Sequence, residues 1–365
     1  MNVIYLVTKI KKGAGPINQL LNLATAFKNF EINFYVVCLS PEQNESWLYR
    51  FEREKIKVIH LNKKPWNILA CVRALRKLIG ELNIEIVHSS GLRPDLCNIL
   101  VGSSVRHMTT QRCEVENIGE EEPFLLKLVM KYLLLFLLRK MDKKIACSYS
   151  LQHILAEKNN IKAEVIQNGV DVDKFTKISK SEKYKLREKL ELPQNKTIYI
   201  YTGSLIPRKD VPTLLKAFMN LDVSRLLLVV GGLKEQVEQL SKKYKSNNIL
   251  FVGSQSNPLP YIQCADYGIS ASLSEGLPNT VLEFIACGLP VILSDIYPHQ
   301  EILQEKNIGL KFPCGNVESL KKNILLIDTL NYNELSDNCI ALVNTNFSKY
   351  VTAANYLREY RSLLK

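Results

Sequence analysis

The stretch A-D-Y-G-I-S-A-S-L-S-E-G-L-P-N-T-V-L-E-F-I-A-C-G-L-P-V-I-L-S-D, Ala265 to Asp295, decides the fold. Its two ends, Tyr267 to Ala271 and Pro290 to Ser294, are short runs rich in apolar and β-branched side chains and predict strands. Between them Gly276 and Pro278 break the chain. Pro278 fits the first position of a helix, where a missing N–H costs nothing. Glu275 then belongs to the loop before that helix and Glu283 to its second turn. A strand, a loop, a helix and a second strand in so few residues is the unit from which parallel sheets are built.

The same rhythm extends outward. Strand signals recur at Thr197 to Tyr201, Leu226 to Val230 and Ile249 to Val252, and earlier at Val3 to Val7, Asn33 to Leu39, Lys57 to Leu61, Glu85 to Val87, Lys144 to Cys147 and Glu164 to Gln167. Helical patterns such as N-Q-L-L-N-L-A-T-A-F and N-I-L-A-C-V-R-A-L-R-K-L lie between several of them. Two such series in 365 residues predict two doubly wound α/β domains. The boundary falls around I-Q-N-G-V-D-V-D-K-F, where Asn168-Gly169 signals a turn and polarity rises. The expected division is a first domain over 1–168, a second over 169–345, and an amphipathic C-terminal helix over 346–365. That helix is free to pack on either domain, the first among them.

Charge and cysteine usage narrow the function. The net charge is +12, of which residues 1–170 carry +8 and 171–365 carry +4. A basic first half suits an acidic partner: nucleic acid, anionic lipid or a phosphorylated substrate. Aromatic residues are not interleaved with basic ones as in single-strand binders, which argues against nucleic acid. Nine scattered cysteines without a C-x-x-C pair form neither a disulfide framework nor a zinc signature, so a reducing compartment is expected. Lysines follow the first apolar run rather than precede it, the reverse of a secretory signal.

In open α/β sheets ligands gather at the carboxyl ends of strands, where helix N-termini attract anions. Three junctions stand out. In K-I-K-K-G-A-G-P, Gly13 and Gly15 follow the first strand; they read either as an ordinary turn or as a close approach to a phosphate. In Y-T-G-S-L-I-P-R-K-D-V-P, Gly203 ends a strand and Arg208 and Lys209 stand before a helix opened by Pro212. They form either a solvated turn or a diphosphate site. The third is Ser274 to Glu283. One carboxylate there is explained by the helix dipole; two also suit hydrogen bonding to sugar hydroxyls. Asp171 and Asp173, a D-x-D, sit in the linker and read as turn residues rather than metal ligands. His88 closes a strand, as either a core histidine or one at a ligand crevice. Phe124 to Leu138 is apolar apart from Lys127 and Lys131, too short to span a bilayer. It is either a buried helix or an interfacial one whose Lys127, Lys131, Arg139, Lys140, Lys143 and Lys144 meet anionic headgroups.

N-G-V-D-V-D-K-F, G-S-L-I-P-R-K-D, F-V-G-S, the Ala265 to Asp295 block and H-Q-E-I together resemble the retaining glycosyltransferases of family 4. The resemblance implies the GT-B fold, two Rossmann-like doubly wound domains facing across a cleft, and the E-x7-E pattern as Glu275 and Glu283. It implies a nucleotide diphosphate sugar donor, a UDP-sugar ahead of a GDP-sugar, with no metal and no other cofactor. Glu283 would bind the ribose, Glu275 the transferred sugar and Lys209 the diphosphate. Gly13 and Gly15 would line the cleft, and the base would lie beside Gly253. Gly203, Ser204, Ser274, Gly276, Leu277, Pro278, Asn279 and Thr280 complete the expected donor contacts. Two departures are visible. Ser204 replaces the family's usual arginine, with Arg208 a candidate for the missing charge. Arg112 stands where a first-domain histidine is usual, so Arg112 and His88 are the candidates for that contact. The expected acceptor is a glycan on a polyprenyl diphosphate carrier, used in cell-surface polysaccharide synthesis. The expected location is cytoplasmic, peripheral on the inner face of the plasma membrane against its anionic surface. The competing readings are a nucleotide-sugar epimerase or hydrolase and a nucleic-acid-binding protein.

Overall fold

The computed structural model describes residues 1–42, 46–64, 67–119, 122–303 and 307–365. The chain forms two compact units, one of Met1–Gly169 with Lys349–Lys365, the other of Val170–Ser348. The sheet of the first unit holds β1 (Asn2–Val7), β2 (Asn33–Cys38), β3 (Val58–His60), β4 (Ile86–Ser89), β5 (Arg106–Gln111), β6 (Lys143–Ala146) and β7 (Glu164–Val165). They lie in the order β3-β2-β1-β4-β5-β6-β7, each neighbouring pair parallel. The second unit holds β8 (Thr197–Thr202), β9 (Arg225–Val230), β10 (Ile249–Gly253), β11 (Tyr267–Ser270), β12 (Val291–Ser294) and β13 (Gly309–Phe312). Their order is β10-β9-β8-β11-β12-β13, again parallel throughout.

Parallel strands are covered by helices on both faces, which explains their near-continuous apolar character. In β1, Val3, Tyr5 and Val7 pack with Ile17, Leu20 and Leu21 of the helix Gly15–Ala26. Ile4 and Leu6 face the other way, against Val72, Leu75 and Ile79 of the helix Ile68–Glu81. In the second unit Tyr199, Leu227 and Val229 share a core with Leu214, Phe218, Leu320 and Ile324. Each fully buried side chain of this size contributes about 1.5–3 kcal/mol. Both sheets reverse their winding once, between β1 and β4 and between β8 and β11, which is where open α/β sheets bind ligands.

The chain leaves the first unit at Gly169, whose N–H and C=O both bond the Gln19 side chain at 2.9 Å. In the linker the Asp171 carboxylate accepts from the Asp173 N–H at 3.3 Å, a local turn bond. The helix Lys349–Leu363 belongs to the first unit and buries Tyr356 and Tyr360 there. These tyrosines settle the position of His88. It is fully buried, with Nδ1 2.7 Å from the Tyr360 hydroxyl and Nε2 2.8 Å from Thr110 Oγ1. Burial, then the nearby Arg112 charge, hold its pKa well below the ordinary histidine value. With both ring nitrogens engaged, it is a neutral core residue rather than a crevice residue.

The helix Phe124–Lys140 follows neither sequence alternative along its whole length. Leu134, Leu135, Leu137 and Leu138 are buried, whereas Phe124, Leu125, Val129, Tyr132 and Phe136 are exposed. Leu125, Val129, Tyr132 and Phe136 recur at helical spacing and form one stripe. Lys131 lies off that stripe, paired with Glu116 at 3.4 Å; Arg139 and Lys140 are exposed at the stripe's end. No helix among the described residues is long and apolar enough to cross a membrane.

Candidate active site

The loops after β8 and β11 leave the second sheet on either side of its winding reversal. After β8, Gly203 turns the chain with φ +149°, and a single turn of 3-10 helix, Pro207–Lys209, presents two cations. Asp210, in the left-handed conformation, precedes the helix Val211–Met219, in which Pro212 is the second residue. After β11, Ser272 to Pro278 form the loop and the helix Asn279–Ala286 follows. Pro278 occupies the capping position, one residue before the helix starts, rather than its first turn. A backbone bond from Leu273 N–H to the Arg208 carbonyl, 2.8 Å, ties the two loops.

Glu275 is the centre of this junction. One carboxylate oxygen meets Lys209 Nζ and accepts from Ser272 Oγ at 2.8 Å; the other accepts from Arg208 Nη1 at 3.2 Å. The same guanidinium donates to the Ser274 carbonyl at 3.0 Å. The Glu275 side chain is only 8% exposed, and Lys209 14%. Burial pushes the Glu275 carboxyl up, but Lys209, Arg208 and Ser272 outweigh it and hold the group below the ordinary carboxylate range. The result is an ionised carboxylate that keeps two cations oriented at a strand-end loop. Glu283, also 8% exposed, sits in the second turn of the following helix. Leu277 is buried in the loop before that helix, and Asn279 and Thr280 open the helix.

Support for the loop comes from residues to which the sequence reading assigned no role. Ser294, the last residue of β12, donates its hydroxyl to the Ser272 carbonyl at 2.5 Å. His299 Nδ1 lies 2.9 Å from the Ser294 carbonyl and 3.0 Å from its hydroxyl. A carbonyl only accepts, so Nδ1 carries the proton. Burial, above all, lowers the His299 pKa to about 4, so the ring is neutral at pH 7. The Tyr201 hydroxyl donates to the Ser204 carbonyl at 2.7 Å, fixing the turn at the position of the family's arginine. Gly231 and Gly232 follow β9 beside this turn. A Cβ on Gly231 would lie 2.0 Å from the Gly203 carbonyl oxygen, and one on Gly232 2.3 Å from Leu205. The signal was present as a Gly-Gly pair closing an apolar run. Gly253 ends β10 with φ +76°.

The other predicted residues belong to the first unit. Gly13, with φ +76°, and Gly15, which opens the helix Gly15–Ala26, follow β1. Arg112 follows β5 and donates to Asn168 Oδ1 at 2.7 Å. A cavity of about 730 Å³ opens elsewhere, at the amino ends of β8 and β11, lined by Lys180, Tyr184, Tyr267 and Tyr332 among others. Its acids are already used: Asp266 by Lys183 and Arg187, Asp328 by Arg225. It is remote from the strand ends where the loops gather.

Comparison with known proteins agrees with this architecture. Residues 182–341 match the family described as glycosyl transferases group 1, and residues 15–174 match Glycosyltransferase Family 4. The UDP-Gal:alpha-D-GlcNAc-diphosphoundecaprenol alpha-1,3-galactosyltransferase of Escherichia coli is 26% identical over 73% of this chain and 72% of its own length. The O-antigen biosynthesis glycosyltransferase WclY of Escherichia coli is 21% identical over 100% of this chain and 99% of its own. The structure of Anabaena Alr3699/HepE in complex with UDP and glucose superposes with a TM-score of 0.82 at 18% identity, covering 99% of this chain and 100% of that one. The two sheets are thus those of the GT-B class, and the two family matches together span most of the sequence. The chain belongs to glycosyltransferase family 4.

Proposed function

We propose that this glycosyltransferase moves a hexose or related sugar, with retention, from a UDP-sugar to a glycan acceptor on a polyprenyl diphosphate. The observation that carries the donor assignment is the Arg208, Lys209 and Glu275 cluster at the winding reversal of the second sheet. A nucleotide diphosphate offers the two cations a better-matched, doubly charged partner than one carboxylate. On donor binding Lys209 and Arg208 shift toward the phosphates. Arg208 supplies the charge that Ser204 lacks, and Glu275 becomes free to accept from hydroxyls of the sugar. Glu283 takes the ribose hydroxyls and the turn at Gly253 accommodates the base.

The bond from the anomeric carbon to the diphosphate oxygen breaks, and a bond to the acceptor hydroxyl oxygen forms on the same face. The hydroxyl proton passes to the departing phosphate oxygen. Fixed cations stabilise the charge that grows on the leaving group, a role that requires no metal. The neutral His299 and Ser294 do not touch the reacting atoms; they hold the Ser272 end of the loop. The lipid-linked acceptor is suggested by the Escherichia coli galactosyltransferase, whose substrate is a diphosphoundecaprenol. A peripheral place on the inner face of the plasma membrane is suggested by the exposed Leu125, Val129, Tyr132 and Phe136 stripe ending in Arg139 and Lys140.

The test is turnover of UDP-sugars with and without a membrane-lipid extract. Donor consumption that depends on the extract, with label appearing in the lipid fraction, is expected. Equal consumption without any acceptor would replace the transferase reading with an epimerase or hydrolase.

A further inference from the structure

The helix Lys180–Lys189 of the second unit departs from the way surface helices pack. Such a helix normally turns an apolar stripe toward its domain, at i, i+3, i+4 and i+7. Here those positions are Lys180, Lys183, Tyr184 and Arg187, and all four line the cavity of about 730 Å³ at the amino ends of β8 and β11. Arg187 is the one buried residue of the helix. Polar bonds hold the helix down instead: Arg187 donates to Asp266 at 2.7 Å and to the Cys264 carbonyl at 2.9 Å, and Lys183 to the Ala265 carbonyl at 2.6 Å. The space that apolar side chains would fill stays open. Its volume falls in the range of small-molecule sites, roughly 300–1,000 Å³.

The wall across from this helix is aromatic. Tyr267 and Tyr332 meet edge to face, with ring centroids 5.6 Å apart and an angle of 82°, and Tyr199 stacks on Tyr267. Neither the Tyr267 nor the Tyr332 hydroxyl has a hydrogen-bond partner among the described residues, and both residues line the cavity. Burial, then the nearby Asp328 and Asp266 charges, push the Tyr267 pKa up to about 12; burial, then Asp266, raise that of Tyr332 as well. Both hydroxyls therefore keep their protons and can donate. The acids in the lining are spent. Asp266 accepts from Arg187, Lys183 and the Ile198 N–H, and Asp328 from the Tyr199 hydroxyl at 2.6 Å and from Arg225 at 2.8 Å. Two further acids stand close by. Glu182 caps its own helix through Ser179, and Asp337 pairs with Lys177 at 3.2 Å. Lys180, exposed at the start of the helix, forms no ion pair among the described residues.

We propose that this cavity is a second small-molecule site that takes an aromatic anion, with Lys180 and the Tyr267 and Tyr332 hydroxyls as donors to its charged group and the ring of Tyr184 against its flat body. An anion is favoured because the unspent groups are an ammonium and two phenols, while Lys183 and Arg187 on the same face repel a cation. A bare inorganic ion would leave most of the volume and the tyrosine rings unused. Lys180 and Tyr184 are one turn apart, about 6 Å between their Cβ atoms, so the ligand must carry its charge directly on its ring. β8 and β11 begin at this cavity and end at the donor loops, and the six residues of β8 span roughly 17 Å. The two sites thus occupy opposite edges of one sheet.

Titration calorimetry on the full chain tests the site with four probes: 1-naphthyl phosphate, 1-naphthol, glucose 1-phosphate and inorganic phosphate. Wild type should bind 1-naphthyl phosphate at least about tenfold more tightly than any of the other three. Lys180→Glu should weaken that binding about tenfold, and Tyr332→Phe, which removes only the hydroxyl, about threefold. Tyr184→Ala, at an exposed ring, should weaken it about threefold, and melting curves check that the variants fold. Lys209→Ala, at the donor loops, should bind the probe as wild type does. Binding lost in Lys209→Ala but kept in Lys180→Glu would place the probe at the donor loops and overturn the proposal. So would no binding of 1-naphthyl phosphate to wild type, or equal affinity for glucose 1-phosphate or phosphate alone.

Discussion

The carboxyl edges of the two sheets hold their arginines by opposite means. In the second unit two cations share one buried carboxylate, and the loop beneath is braced by Ser272, Ser294 and His299. In the first unit Arg93 is braced by neutral oxygens and a thiol, with Glu42 in the neighbouring loop after β2. A compensated cluster is stable before its ligand arrives and exchanges one anion for another. Arg93, by contrast, is spent on neutral groups and ties the ends of β2, β3 and β4 together. The same parallel architecture thus uses cations in one unit to hold a site poised and an arginine in the other to tie loops together.

The largest expected effect comes from breaking the compensation. Glu275→Ala leaves Lys209 and Arg208 without their carboxylate, and the buried side of such a pair typically costs about 3–5 kcal/mol when one partner is removed. Because Arg208 is 44% exposed, solvent screens part of this, and the lower end is expected in urea unfolding. Sugar transfer should fall by roughly a hundredfold or more. Gly231→Ala should come next. Its Cβ would strike the Gly203 carbonyl at a φ of +129°, so a loss of about 3 kcal/mol is expected by urea unfolding, with UDP affinity reduced as the turn shifts.

The poised site should also show its charges in acid. Glu275 has a folded pKa below its unfolded value of 4.5, so its stabilisation is complete above that value and is lost as pH falls through the lower folded pKa. His299, lowered from 6.5 to about 4, contributes in the same direction: stability present above pH 6.5 declines as pH falls toward 4, by about 3 kcal/mol across that window. Unfolding measured from pH 7 to pH 4 should therefore have a shallower pH slope in His299→Gln than in wild type. An unchanged slope would show that the histidine does not stay neutral in the fold. The smallest effect on stability is expected at the exposed stripe. Leu125→Glu/Val129→Glu should unfold within about 0.5 kcal/mol of wild type while sedimenting less with phosphatidylglycerol vesicles. Equal sedimentation would remove the membrane role of that helix.

The second unit was the more legible in sequence because its strand, loop and helix are consecutive in Ala265 to Asp295. Gly276 and Pro278 mark where the helix can begin, so Glu275 and Glu283 could be placed in loop and second turn without knowing the tertiary fold. The brace from His299 through Ser294 to Ser272 could not be read, because it joins the ends of two neighbouring strands, β12 and β11, about twenty residues apart. His88 shows the same limit from the other side. A polar residue at a strand end looks available until a helix some 270 residues later buries it under Tyr356 and Tyr360. The helix Phe124–Lys140 was ambiguous because up to Leu138 it is apolar apart from Lys127 and Lys131, and only packing reveals which leucines are buried. Arg93 met the same obstacle: its bonds to Ser40 and Lys64 join loops that come together only once the strand order is known.

The central claim is that the Arg208, Lys209 and Glu275 junction, with Glu283, holds a nucleotide diphosphate. The most direct measurement is the thermal shift produced by UDP in wild type, Lys209→Ala and Glu283→Ala. UDP should raise the melting temperature of wild type and leave both variants unmoved. A shift of equal size in the variants, or none in wild type with UDP or any other nucleotide diphosphate, would contradict the account.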